Sequence, residues 1–228
     1  MTTPASCYVL FVITRYNLSN FTAGGTPSNA TNANATYEQT SPTHQNGDVD
    51  GDGTDDVHDN CPQNSLVSRT DFSNFETVAL DPHGVTQADP LWIIQDNGTT
   101  MRQTLNSDPG LAIGRDNLEG VNFEGTFFVN TRSDDDYIGI VFSYQSNRTF
   151  YVVMWKKSQQ TYWERSPFTA VAKSGIQVKL VNSIQGPGEW LRNAMWHTGH
   201  TKNHVKLLWE DPNQRGWESK VITIFCDP

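Results

Sequence analysis

The sequence predicts an all-β sandwich, preceded by an acidic loop and a disordered amino-terminal segment. Short apolar and β-branched runs alternate with polar residues, Gly, Pro, Asn and Asp separate the runs, and only residues 189–196 look helical. In chain order, residues 123–131 are a first strand candidate. Residues 137–145 (YIGIVFSYQ) place Ile138, Ile140, Phe142 and Tyr144 on one face, because successive strand side chains point to opposite sides. Residues 148–156 (RTFYVVMWK) are β-branched and aromatic. Ser146 and Asn147 alone separate the two runs, which therefore read as a hairpin. Residues 175–183 (GIQVKLVNS) alternate Ile176, Val178 and Leu180, and residues 204–209 and 221–225 are further candidates. Strand periodicity does not choose between a jelly roll and an immunoglobulin-type sandwich. No period of 20–50 residues repeats.

A chain of 228 residues accommodates one ordinary domain and a tail. A domain above ~150 residues buries roughly 70% of its unfolded surface. The hydrophobic content, 36%, is low for a chain packed throughout, and the shortfall is local. Residues 1–46 carry two formal charges, Arg15 and Glu38, and are rich in Thr, Asn, Ser and Ala, so a disordered low-complexity segment is expected there. All seven Trp lie between Trp92 and Trp217, which puts the core in the last two thirds. The chain thus divides into residues 1–46, an acidic unit at 47–65 and a β-domain at 66–228.

Net charge is −9, and six acidic side chains fall within residues 48–59. A bias that concentrated points to cation binding and argues against nucleic acid, which needs Lys and Arg patches. Cys7, Cys61 and Cys226 show neither the CxxC nor the Cys–His spacing of a zinc site. Asn17, Asn20, Asn29, Asn34, Asn97 and Asn147 each begin an N-x-S/T triplet, the glycan acceptor pattern of secreted chains. No segment reaches the ~18 apolar residues of a membrane span. Residues 7–13 (CYVLFVI) have no basic residue before them and Arg15 after them, a poor signal peptide; the expectation is that secretion depends on an upstream part of a longer protein, or that this amino terminus is not the natural one. No heptad segment is present, so any oligomerisation region is expected outside this chain.

The strongest chemical motif is DVDGDGTDDVHDNCP, residues 48–62. Counted from Asp48, a twelve-residue calcium loop has Asp48, Asp50 and Asp52 at positions 1, 3 and 5, Gly53 at 6, Thr54 at 7, Asp56 at 9 and Asp59 at 12. Alternate carboxylates can turn inward around one hard cation, and Thr54 can offer its carbonyl oxygen. Position 12 is Asp instead of the usual Glu, and its shorter arm suits one-oxygen coordination. Neither flank is helical, so the loop reads as a structural calcium site and not as a helix–loop–helix sensor.

The pattern D-x-D-x-D-G-x-x-D-x-x-D-N-C-P resembles the thrombospondin type 3 repeat. TDFSNFETVALDP (70–82), DPLW (89–92), DPGLAIG (108–114), FEGTFFVNT (123–131), DDDYIGIVFSYQ (134–145), FYVVMWKK (150–157), GPGEWLRNAMWHTG (186–199) and GWES (216–219) resemble successive blocks of the thrombospondin carboxy-terminal domain, in the same order. The resemblance covers roughly residues 48–219. It implies an L-type-lectin-like β-sandwich (jelly roll) with bound Ca2+, in a secreted, extracellular matrix glycoprotein. It also implies cell adhesion, with integrins, integrin-associated protein and matrix proteins as partners. Three departures stand out. The family domain continues for several strands beyond the GWES region, so an incomplete sandwich is expected after SKVITIFCDP, with apolar surface bared near residues 150–155 and 176–180. The cysteine that Cys61 would pair with in a preceding repeat is absent. Only one type 3 loop is present.

Asp134, Asp135 and Asp136 are adjacent carboxylates before a strand. They would gain from a cation, and the family places calcium in this sandwich; a solvated turn is the alternative. Asp108 is a weaker metal candidate. Arg148, Phe150, Tyr151, Val152, Val153, Met154, Trp155 and Lys156 resemble a family stretch associated with integrin-associated protein. Buried side chains cannot grip a receptor, however, and the stretch reads first as core. His197, His200 and His204 sit in a Gly/Thr loop and read as surface residues before zinc ligands. Glu164 and Glu189 are isolated, and neither a facing carboxylate pair nor a G-x-S-x-G elbow is present, so no enzyme is expected. The expected function is a calcium-stabilised adhesion module, with a calcium-dependent carbohydrate-binding lectin as the alternative.

Overall fold

The computed structural model describes residues 47–57, 59, 62–63, 65, 71–85, 87–103, 105, 107–114, 122–127, 136–213 and 220–225. The segment 1–46 lies outside them. Among the described residues the strands are β1 (Glu76–Ala79), β2 (Trp92–Gln95), β3 (Thr100–Gln103), β4 (Gly110–Ile113), β5 (Asn122–Phe127) and β6 (Tyr137–Ser146). They continue with β7 (Thr149–Lys156), β8 (Gln160–Thr161), β9 (Val171–Ala172), β10 (Gly175–Asn182), β11 (Val205–Asp211) and β12 (Lys220–Phe225). Helix α1 (Glu189–Trp196) precedes β11. The all-β expectation is met, and the short helix lies where the sequence put it.

The largest sheet is antiparallel, in the order β11-β10-β7-β6. Its two-residue pitch sorts side chains onto two faces. One face carries Val141, Phe150, Val152, Met154 and Val181, all buried, with Val141 opposite Val152 and Phe150 opposite Val181. The other carries Ile138, Ile140 and Trp155, also buried. Both faces bury apolar side chains, the first together with Gln177 and Lys179, so each must be covered, which is the condition for a layered fold. Gly139 permits the tight β6–β7 approach, because a β-carbon there would collide with the Val153 carbonyl oxygen. The hairpin tip is Asn147–Arg148, one residue later than the sequence suggests. A register shift between Phe142 and Ser146, with Ser143 at φ 49°, moves Ser146 into the ladder opposite Thr149. Smaller antiparallel pairs join β1 to β4, β2 to β3, β5 to β12 and β8 to β9.

Helix α1 begins without a side-chain cap. Tertiary bonds hold it instead. The buried Asn193 side chain donates to the carbonyls of Phe168 (2.7 Å) and Glu164 (3.2 Å). At the other end, Lys179 Nζ reaches from β10 and donates to the carbonyls of Met195 (2.6 Å) and His197 (3.0 Å). A cationic donor suits these last carbonyls, which have no partner inside the helix and carry its negative dipole end. Lys179 is fully buried, and burial pushes its pKa down to about 7. Between that value and the unfolded 10.5 the folded state binds fewer protons, so stability rises with pH across this window. Lys179→Met is expected to remove the rise. Thermal unfolding of wild type and variant from pH 7.5 to 10 checks this: the stability difference should change by more than about 1 kcal/mol in favour of wild type as pH rises. Parallel pH profiles would contradict it.

Candidate metal centre

The loop at residues 48–59 is built by its own carboxylates. Asp48 Oδ1 accepts from the N–H groups of Gly51 (2.8 Å) and Asp52 (3.2 Å), and its Oδ2 accepts from Gly53 (2.9 Å). Asp50 Oδ1 accepts from Asp52 N–H (3.2 Å), and Asp52 Oδ1 from Thr54 N–H (2.7 Å). These short-range bonds wind the chain inward so that alternate side chains share one side. The winding needs φ 75° at Gly51 and 94° at Gly53, left-handed values that glycine adopts without a steric cost. Open space surrounds both α-carbons, so dihedral angle and not crowding demands the glycines. The loop closes where Asp56 N–H donates to the Gly47 carbonyl (2.6 Å), and Val49 N–H donates to Asp56 Oδ1 (3.0 Å).

Asp48, Asp50 and Asp52 each offer a carboxylate oxygen within 4.8 Å of the others. Asp50 Oδ2 is buried and lacks a hydrogen-bond partner. Loss of solvent, with repulsion from Asp52, Asp59 and Asp48, pushes the Asp50 carboxyl above its usual range. An oxygen-rich, net-negative cradle with an unsatisfied inward oxygen fits a hard divalent cation and no soft metal. Asp59 is buried and Asp56 half-buried, and neither carboxylate joins the 4.8 Å group; Thr54 is half-buried.

Other residues singled out by sequence fall as follows. Asp136 is buried just before β6, and Asp134 and Asp135 lie outside the described residues. Asn97 is exposed in the β2–β3 turn at φ 55°, and Asn147 is half-buried at the β6–β7 tip; Asn17, Asn20, Asn29 and Asn34 lie outside the described residues. Along β7, Phe150, Val152, Met154, Trp155 and Lys156 are buried, Tyr151 and Val153 half-buried, and Arg148, just before the strand, exposed. Asp108 is buried and its Oδ1 accepts from the Tyr162 hydroxyl (3.1 Å). Of the histidines expected at the surface, His200 is exposed and His197 half-buried. His204 is buried under Trp190, their rings parallel within 6° at 5.6 Å.

Sequence reasoning missed a buried ion pair. Arg192 of α1 donates to Asp81 Oδ2 at 2.7 Å, and both side chains are almost wholly enclosed. Burial pushes the Asp81 carboxyl up more than Arg192 pulls it down. Arg192 also donates to the Ser166 carbonyl (3.0 Å) and to Asn193 Oδ1 (3.0 Å). The available signal was an Arg between Leu191 and Ala194 on the apolar side of a short helix.

The family model described as Thrombospondin C-terminal region matches residues 87–225. The chain is 56% identical over 163 residues to human Thrombospondin-3, an alignment covering 72% of this chain and 17% of that protein. It is 57% identical over 160 residues to human Cartilage oligomeric matrix protein, covering 70% of this chain and 21% of that one. With Thrombospondin-1 of Xenopus laevis it shares 54% identity over 158 residues, 69% of this chain and 14% of the relative. The chain therefore spans about a fifth or less of the length of these relatives.

Proposed function

Because the chain belongs to the thrombospondin family, through its C-terminal region, we propose that it acts as a calcium-binding, non-enzymatic module of an extracellular matrix glycoprotein. The family domain is a lectin-like β-sandwich, and the strand-dominated fold agrees with it. The observation that carries the calcium reading is the convergence of Asp48, Asp50 and Asp52 within 4.8 Å. Asp56, Asp59 and the Thr54 carbonyl complete the ligand set in this reading. Bound calcium would neutralise the clustered carboxylates and hold the loop in one shape. Support for a matrix setting comes from a relative whose name places it in cartilage matrix. None of the helices among the described residues is long and apolar enough to cross a membrane.

Cell-surface receptors, with integrins and integrin-associated protein as the first to test, and other matrix proteins are the proposed partners. Plating cells on surfaces coated with the chain, in calcium and in chelator, tests adhesion. Attachment in calcium that falls in chelator is expected. Calcium-dependent binding on a glycan array without cell attachment would favour the lectin alternative, and failure of both would overturn an adhesive role.

A further inference from the structure

His197, His200 and His204 follow α1, and they form no metal group among the described residues. Each uses Nδ1 inside the fold. His197 Nδ1 accepts from Val171 N–H of β9 at 3.2 Å. His200 Nδ1 accepts from Leu207 N–H of β11 at 3.2 Å. His204 Nδ1 lies 2.9 Å from Ser183 Oγ. A ring nitrogen that accepts carries no proton, so His197 and His200 must be neutral with hydrogen on Nε2. Protonation would set a new N–H against the backbone N–H that the ring now accepts from.

We propose that His197 is an acid-operated latch, in which its neutral imidazole holds the segment after α1 against β9 and protonation releases it. The charges acting on His197 are Lys179 from β10 and Lys173 from the β9–β10 turn, both cationic; Lys173 itself faces Glu210 of β11 at 3.8 Å. The Phe168 ring meets His197 edge-on at 5.9 Å. Burial first, then the two lysines, push the His197 pKa below 6.5. His200 lines a hollow of about 330 Å³ together with Lys202 and Lys206. His204 is set apart from the latch: burial lowers its pKa as well, but its Ser183 contact can work with either partner donating, so protonation need not break it. For His197 the folded state binds fewer protons than the unfolded one from about pH 6.5 downward, so acid weakens the closed form.

Amide hydrogen exchange by NMR on the full chain in calcium buffer tests the latch, with imidazole resonances recording titration. From pH 7.5 to 5, after correction for intrinsic rates, protection at Val171 should fall ~tenfold, in step with the His197 ring. His197→Asn places an acceptor oxygen where Nδ1 lies and cannot titrate. In it Val171 should keep its protection. His200→Asn, at an exposed position, is the control and should leave the loss at Val171 unchanged. Protection at Val171 that stays constant while the His197 ring titrates would overturn the latch, as would the same loss at Val171 in His197→Asn.

Discussion

Replacing Asp50 with Ala is expected to remove one calcium ion per chain and leave the sandwich folded. Asp50 holds a buried oxygen that lacks a hydrogen bond, and its carboxylate lies within 4.8 Å of those of Asp48 and Asp52. Losing it takes away both a ligand and a charge, the two quantities that set affinity in such loops, so a weakening of ~100-fold or more is the expected scale. The segment has little apolar surface to pack, while ordering costs ~1–2 kcal/mol of backbone entropy per residue. Ion binding to the folded form supplies the compensation. Chelator should therefore disorder residues 48–59 in wild type as the substitution does. Protons compete with the ion, and because the Asp50 carboxyl is already pushed up, acid should release calcium before it unfolds the β-domain. Isothermal titration with circular dichroism checks all of this. Unchanged calcium stoichiometry in the Asp50→Ala protein would sink the assignment.

What was legible in the sequence follows from the reach of each interaction. The calcium-type loop is held by bonds between residues two to nine apart, so spacing alone carries it. Strands β6, β7 and β10 announce themselves through their runs of β-branched and aromatic residues, although β6 buries Tyr137 to Val141 consecutively, and β10 buries Gln177 and Lys179 while Ile176, Val178 and Leu180 are half-buried. Strands β1 to β4 have four residues each, too few for a period to emerge, and β8 and β9 have two. The Asp81–Arg192 pair joins residues 111 apart, and Lys179 meets carbonyls 16 and 18 positions away. A lone Lys inside GIQVKLVNS looks like an ordinary polar-face residue of a strand. Only the docking of α1 above it turns that face inward.

Arg192→Met is expected to cause the largest loss of stability. Methionine keeps much of the volume and apolar stem, but leaves Asp81 buried without its cation, and the Ser166 carbonyl loses a donor. Breaking a buried pair from one side costs roughly 3–5 kcal/mol, which lowers the thermal midpoint of a domain this size by ~10 °C. Asp108 adds to the penalty, since Arg192 lowers its pKa while Asp81 raises it, and the substitution removes the first of these influences and keeps the second. With Arg192 gone, the folded-state pKa of Asp81 should climb further above its unfolded value of 3.8. A raised carboxyl binds protons more tightly when folded, so stability falls as pH rises through that window, and the deficit should shrink toward pH 5. Asp81→Asn combined with Arg192→Met removes the unpaired charge and should recover part of the loss, making the two substitutions non-additive. Thermal unfolding of the single and double variants at pH 5 and pH 8 decides the matter: a deficit below about 1 kcal/mol, the same at both pH values and additive in the double variant, would mean that this pair behaves as an exposed one does.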